Sequence, residues 1–527
     1  MRRWNGWGDE SIRIELPEAA RAYLRERLGA PAPPQDAPFD RLVANVPFSR
    51  LPAHALVDAS PATRVLHARG QSLPDWLALR FGRIERVPDG VAFPESSRDV
   101  RALLAFAAEC DARVIPYGGG TSVVGHLTPP DGAAPVLAIS LARMRKLLEL
   151  DEASRLATFE AGVTGPDLEA QLRARGYTLG HFPQSFEYST LGGWIATRSS
   201  GQQSLLYGRI EDLFAGGRIE TPAGTLCIPT VPASAAGIDL RGLVLGSEGR
   251  LGIVTQATVR VRPIPAFEAF YGCFFPSWER AEHAVHELAH GGAALSMLRL
   301  ANPMETLTTL RLAGGGRALA LLERYLTLRG CRDETSLLLL GVTGEASGAR
   351  AALGSARAIC RAHRGVWASE RLGAQWRRNR FRGIYLRNAL WECGYAVDTV
   401  ETAVDWPRVR TMMLALEAAA RDALGEGGVH AYTHLSHVYP QGSSVYSTFV
   451  YPIVPEYGRN LERWNALKRA ASEAILRNGG TISHQHGVGL DHKPYLAAEK
   501  SELGIDAMRA LFERFDPGAR MNPGKLC

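Results

Sequence analysis

The sequence predicts an α+β protein built from successive units, and three observations carry that expectation. Between residues 81 and 265, three loops of small residues alternate with strand-like and short helical segments. From 266 to 455 strand and helix patterns repeat, as in an antiparallel sheet with helices packed on one side. From 456 to 527 the chain turns helical around one polar segment, Thr481-Ile-Ser-His-Gln-His-Gly-Val-Gly489.

Residues 1–80 read as an N-terminal helical extension. Glu15 to Leu28 has a helical pattern with Pro17 near its start, and Gly29, Pro31, Pro33 and Pro34 end it. In the next unit, Ser97 to Ala108 puts Val100, Leu103, Leu104 and Ala107 on one face behind a serine, the pattern of a capped amphipathic helix. The strand-like Ala112 to Pro116 follows, then Pro116-Tyr-Gly-Gly-Gly-Thr-Ser-Val-Val-Gly-His-Leu127. Three consecutive glycines, Gly118, Gly119 and Gly120, with Thr121 and Ser122 behind them, let the backbone curl and aim several N–H groups at one anion. An ordinary turn would read the same way. The later loops Ser189 to Gly201 and Gly246 to Gly252 change that balance, because a pyrophosphate, a ribose and a planar ring system need several close backbone approaches, whereas one phosphate needs one. In the third unit, Glu268 to Phe275, Thr335 to Gly341, Tyr395 to Val400 and Ser443 to Tyr451 read as strands, with helices at Trp278 to His290, Ala346 to His363 and Trp406 to Leu424. Gly314-Gly-Gly316 reads as a linker between two helical stretches.

Composition narrows the function classes. With 46% apolar and 22% charged residues over 527 positions the usage is globular, and a net charge of +6 without a lysine or arginine block gives no footing for nucleic acid. The seven cysteines are scattered without a CxxC pair, which fits a reduced, cytoplasmic chain. The N-terminus has arginines but no apolar stretch behind them, so a secretory signal is not expected, and no run approaches the ~18 apolar residues of a spanning helix. Peripheral contact with a membrane stays open.

Among chemical candidates, His484 and His486 stand two apart, so an extended segment would present both rings on one side and Gln485 on the other. They suit acid/base work; a metal site wants further ligands at readable spacing, and none is found beyond Asp491 and His492, so no metal is expected. Tyr446 lies on an alternating strand and Arg387 is one of several arginines near it, and composition alone would select neither.

Taken together, PYGGGTSVVGHL, PQSFEYSTLGGWIATRSSGQQSLLYGRIEDL from Pro183 and LGSEGRLGIVTQATVRVRP from Leu245 resemble the FAD-binding domain of the vanillyl-alcohol-oxidase/p-cresol-methylhydroxylase type. Within that family the RRWNGWG start and the SHQHGVG segment are most similar to the alkyldihydroxyacetonephosphate synthases. The resemblance implies an FAD-binding domain split in sequence, an antiparallel-sheet cap and a C-terminal helical segment completing the active site. Pro116, Gly118, Gly119, Gly120, Thr121 and Ser122 would hold the pyrophosphate. Ser189, Thr190, Gly192, Gly193, Thr197, Ser199 and Ser200 would line the flavin, and Gly246, Ser247, Glu248, Gly249 and Ile253 would complete the cleft. No histidine occupies the glycine run where relatives attach flavin, so noncovalent FAD is expected.

The implied reaction exchanges the acyl group of an acyl-dihydroxyacetone phosphate for a fatty alcohol, with flavin N5 as a covalent partner rather than a net redox agent. Arg387 then resembles the phosphate-binding arginine, Tyr446 the active-site tyrosine, His181 the histidine before the flavin loop, and His484 and His486 the outer members of a triple-histidine segment. Gln485 departs from that pattern. The alternatives are an FAD-linked oxidase or dehydrogenase of a 2-hydroxy acid or alcohol on the same scaffold, or a flavin protein without catalysis. Expected partners are the lipid substrates and a second copy of the chain as a homodimer.

Overall fold

The computed structural model describes every residue except 1, 32, 313, 315, 369 and 426, and all side chains of these elements but that at 318. Strand Arg113–Tyr117 lies parallel to Val136–Ser140, whose other edge takes Gly90–Ala92, and Val57–Asp58 completes a four-stranded sheet. Helix Ser97–Glu109 packs against it because Val100, Leu103, Leu104 and Ala107 recur at helical spacing and are all buried, while the Ser96 hydroxyl caps it by accepting from the Asp99 N–H. A second sheet is antiparallel throughout, in the order Leu147–Asp151, Leu156–Glu160, Ile253–Arg260, Phe214–Thr221, Gly224–Ile228. The two small sheets share one core around Val114, Leu137, Phe159 and Ala257.

The larger sheet has seven strands, all antiparallel, in the order Val366–Trp367, Phe267–Phe275, Ser336–Gly344, Leu295–Ala301, His430–Leu435, Gly442–Pro452, Tyr395–Asp405. Alternation along Phe267–Phe275 sends Tyr271, Cys273 and Phe275 into the largest core, which takes in residues of helices Trp278–His290, Ala346–Ala362 and Trp406–Leu424. Phe270 and Phe274 face the other way, toward Leu326 of Arg317–Leu328 and Leu372 and Trp376 of Glu370–Asn379. Helices therefore cover part of both faces, where the sequence led us to expect one. The reason is visible in Ser336–Gly344, a leucine run buried on both sides rather than alternating. Gly314 and Gly316 join helices Pro303–Leu312 and Arg317–Leu328, with residue 315 of that linker outside the described residues.

Both termini return to the centre. Trp7 is 2% exposed within the largest core, and its backbone is bracketed by Asn388, whose Oδ1 accepts from Trp7 N (3.1 Å) and whose Nδ2 donates to Trp7 O (2.9 Å). The N-terminal segment around Trp7 is thus wedged into the core rather than appended to it. At the other end Met521 bridges to Val114 and Asn522 N donates to Val114 O at 2.7 Å, so the C-terminal segment closes the small-sheet unit.

Candidate active site

A cavity of about 870 Å³ opens where the glycine loop, helix Leu191–Thr197 and the larger sheet meet. At one end the chain leaves strand Arg113–Tyr117 and curls, and the N–H groups of Gly118 to Thr121 find no protein partner among the described residues. Glycine is required here by close approach: a Cβ on Gly119 would stand 1.7 Å from the Tyr188 carbonyl oxygen, and one on Gly118 2.5 Å from Thr190 Oγ1. Unspent donors on a bare backbone make an anion cradle, and they suit a pyrophosphate by type and number.

The cavity is lined by Pro116, Gly118, Gly119, Gly120, Thr121, Ser122, Ser189, Thr190, Gly192, Gly193, Thr197, Ser199, Ser247, Glu248, Gly249 and Ile253 of the expected cofactor set, and also by Arg387, Tyr446 and His486. Four expected residues stand behind its wall: Ser200, Gly246, His181 and His484. The His181 ring packs on Trp194 (4.7 Å between centroids), its Nε2 meets Ser199 Oγ at 3.2 Å, and burial, with Arg209 adding to it, pushes its pKa down to about 3. Glu248 spends its carboxylate within the protein. It accepts from the N–H groups of Val488 and Gly489 and stands 2.8 Å from His126 Nε2, tying the cofactor loop to the C-terminal loop.

At the far end the strand register sets the chemistry. Tyr446 lies between Glu401 and His434 as a direct cross-strand neighbour of both, so all three side chains project from one face. The Tyr446 ring stacks on His434 (4.8 Å) and meets His486 edge-on (5.7 Å), and burial raises its pKa above the usual phenol value. Glu305 closes a polar cluster with His434 Nδ1 (2.8 Å) and Arg299; burial works against its charge, yet His434 and the Arg299 guanidinium hold its pKa at about 2. Arg387 lies over the Trp76 ring at 4.3 Å and donates Nη1 to Gln71 O at 2.5 Å, which leaves most of its five N–H groups for the cavity. Apolar residues including Ile12, Ile14, Leu312, Ile384, Leu390 and Val397 line the same space.

The His-Gln-His segment departs from expectation. It is a series of bends rather than a strand, so His484 and His486 do not share a side: Gln485 and His486 line the cavity and His484 is buried behind them. Left-handed backbone at Gly487 (φ 81°) and Gly489 (φ 55°) turns the chain here. His484 Nε2 sits 3.0 Å from Arg209 Nη1 and 2.7 Å from Tyr439 Oη. A guanidinium only donates, so Nε2 is the lone pair and the proton is on Nδ1, which donates to Glu401 Oε1 at 3.1 Å. Glu401, His437 and His484 are ligand types gathered within 4.8 Å, but that tautomer has no Nδ1 lone pair to offer a metal. Glu401 was missed in the sequence, although a charged residue inside the otherwise alternating Tyr395–Asp405 strand is the signal that would find it.

The FAD binding domain family matches residues 88–228, and the FAD linked oxidases, C-terminal domain, matches 264–526. An alkyldihydroxyacetonephosphate synthase of Dictyostelium discoideum is 30% identical, covering 99% of this chain and 93% of the relative. The chain belongs to the alkyldihydroxyacetonephosphate synthase family. A solved alkyldihydroxyacetonephosphate synthase superposes with a TM-score of 0.84 at 27% identity, covering 100% of this chain and 99% of that one. Solved p-cresol methylhydroxylase, at 13% identity and a TM-score of 0.70, covering 97% of this chain and 96% of that one, shares the fold. The cofactor of this synthase-family chain is FAD, which the free donors of Gly118 to Thr121 suit. Among the described residues no helix is long and apolar enough to cross a membrane.

Proposed function

We propose that this protein is an FAD-dependent synthase that exchanges the acyl group of an acyl-dihydroxyacetone phosphate for a fatty alcohol. The observation that carries the reading is a single cavity joining the glycine cradle to Arg387, Tyr446 and His486 and bounded by apolar side chains. When bound, FAD supplies a ring system able to accept and return a bonding pair, so the exchange needs no external oxidant. Noncovalent binding is supported by His126, the cavity-lining imidazole of the glycine loop, because Ser122 Oγ holds its Nδ1 at 2.7 Å and its Nε2 stands 2.8 Å from the Glu248 carboxylate.

Arg387 would grip the phosphate with the N–H groups that Gln71 leaves free, held in place by its stack on Trp76. Tyr446 and His486 would hold and move protons at the reacting carbon. His484 and His181, which do not reach the cavity, would support that wall. The apolar lining would receive the long chain and exclude water. Long-chain substrates would arrive from a lipid surface, and helix Arg317–Leu328 supports peripheral contact: Leu321, Tyr325 and Leu328 are 69%, 43% and 86% exposed on the side opposite buried Leu326, among exposed Arg317, Arg324 and Arg329.

The test mixes the yellow protein anaerobically with acyl-dihydroxyacetone phosphate and labelled fatty alcohol, and separately with 2-hydroxy acids. Transfer of label without an acceptor is expected. Bleaching by a hydroxy acid without label transfer would reject the synthase in favour of a redox enzyme.

A further inference from the structure

Three consecutive side chains of the C-terminal loop converge on one buried carboxylate. Glu401 Oε1 accepts from Ser436 Oγ (2.9 Å) and His484 Nδ1 (3.1 Å), with His437 Nε2 4.0 Å away. Glu401 Oε2 accepts from Gln485 Nε2 (2.7 Å) and lies 3.8 Å from His486 Nε2. The orientations are fixed by what stands on the other side of each group. Arg209 makes His484 a donor to Glu401, and the Ser200 N–H, which donates to Gln485 Oε1 at 3.2 Å, makes the Gln485 amide nitrogen the one facing Glu401. His484 can therefore take up a second proton only on Nε2, at the cost of the Arg209 hydrogen bond, and the Gln485 amide takes up none. His486 differs, since its Nδ1 has no protein partner among the described residues and its ring lines the cavity.

We propose that Glu401 is the positioning residue for the acid/base end of the cavity: its Oε2 keeps the His486 proton on Nε2, so that Nδ1 meets the substrate as a lone pair. This rests on the role given to His486 in the synthase reading. The other charged and titratable groups around His486 are Asp398 on the same strand as Glu401, Lys468 on helix Tyr457–Arg477, Tyr446 on Gly442–Pro452, and His484 and His492 on its own segment. Asp398 gives Oδ2 to Lys468 Nζ (3.2 Å) and Trp464 Nε1 (2.8 Å), and among the described residues Glu401 is the carboxylate that pairs with a His486 ring nitrogen, at 3.8 Å. Burial disfavours the imidazolium of His486 and Glu401 opposes that effect, so removal of the Glu401 charge lowers the pH at which His486 takes a second proton.

The experiment compares wild type, Glu401→Gln and Glu401→Asp, each loaded with FAD, by the pH dependence of kcat/KM for acyl exchange. Glu401→Gln should move the acid limb to lower pH by about one unit and reduce kcat by about tenfold or more, while Glu401→Asp keeps the limb near its wild-type position. A limb unmoved in Glu401→Gln, or moved equally in both variants, overturns the proposal. A second readout needs neither activity nor a Glu401 variant: nitrogen NMR of histidine-labelled holoenzyme, with His486 assigned through His486→Gln. The Nε2–H tautomer is expected, and the Nδ1–H tautomer overturns the proposal. If wild type exchanges no acyl group, the synthase reading fails while the tautomer still decides the role of Glu401.

Discussion

Asp491 offers a direct measure of how the C-terminal loop is held against the cofactor loop. The loop docks through backbone: Leu490 N donates to the Val124 carbonyl at 2.9 Å. The Asp491 carboxyl goes with it, and Oδ2 is buried without a protein hydrogen bond. Burial, which outweighs the nearby charge of Lys468, raises its pKa from 3.8 to about 7. In the unfolded chain the group ionises near 3.8, so between about pH 4 and about pH 7 the native state keeps a proton that the unfolded state has lost, and stability falls as pH rises through that window. Above about pH 7 both states are ionised and the cost is constant; at ~1.4 kcal/mol per pH unit the interval bounds it at about 4 kcal/mol. Asp491→Asn keeps the shape and removes the charge. It should leave stability unchanged near about pH 4 and raise it by up to about 4 kcal/mol near about pH 8. Denaturant titration of the FAD-loaded protein, followed by release of flavin fluorescence at both pH values, measures this. Equal midpoints for wild type and variant at the higher pH would refute the reasoning, because the buried carboxylate would then carry no cost.

Three further outcomes follow from the site geometry. Arg387→Ala should raise KM for the phosphate substrate by about 10- to 100-fold with unchanged FAD content, read by steady-state kinetics and flavin absorbance; loss of flavin would show that Arg387 serves the cofactor instead. Tyr446→Phe retains the ring stacked on His434 and removes the hydroxyl, so kcat should fall by about 10²- to 10³-fold while flavin content and circular dichroism stay as in wild type. Gly119→Ala forces a methyl group against the Tyr188 carbonyl, 1.7 Å from the unshifted position, and the purified protein should be colourless and fail to take up added FAD.

The parts of the fold legible in the sequence are those whose signal is local. Helices Trp278–His290 and Trp406–Leu424 are written in spacing and caps, and the Gly118 to Gly120 turn in glycine itself. Strands Phe214–Thr221 and His430–Leu435 were not seen, since glycines in the first and histidines in the second blur the alternation that burial by neighbouring strands then overrides. The site was legible as a set of residue types, and the resemblance selected Arg387 and Tyr446 among many. What spacing could not supply was direction. His484 and His486 are two apart, yet the turn at Gly487 and the pull of Glu401, 83 positions before His484 in the chain, send one ring inward and the other to the cavity.

That geometry also bears on the middle position, Gln485, where the resemblance implied a histidine. Were the segment extended, position 485 would point away from the cavity and its identity would matter little. Here it lies in the cavity wall and bridges two units, accepting from the Ser200 N–H beside the cofactor cleft and donating to Glu401 on the sheet. A neutral side chain with one acceptor and one donor meets that demand in full, and glutamine cannot compete with His486 for a proton. Gln485→His would place a second imidazole within reach of Glu401 Oε2 and divide the influence of one carboxylate between two rings. The expected result is retained FAD with a broadened acid limb in kcat/KM, whereas an unchanged profile would mean that the bridge, rather than the proton economy around Glu401, is all that position 485 provides.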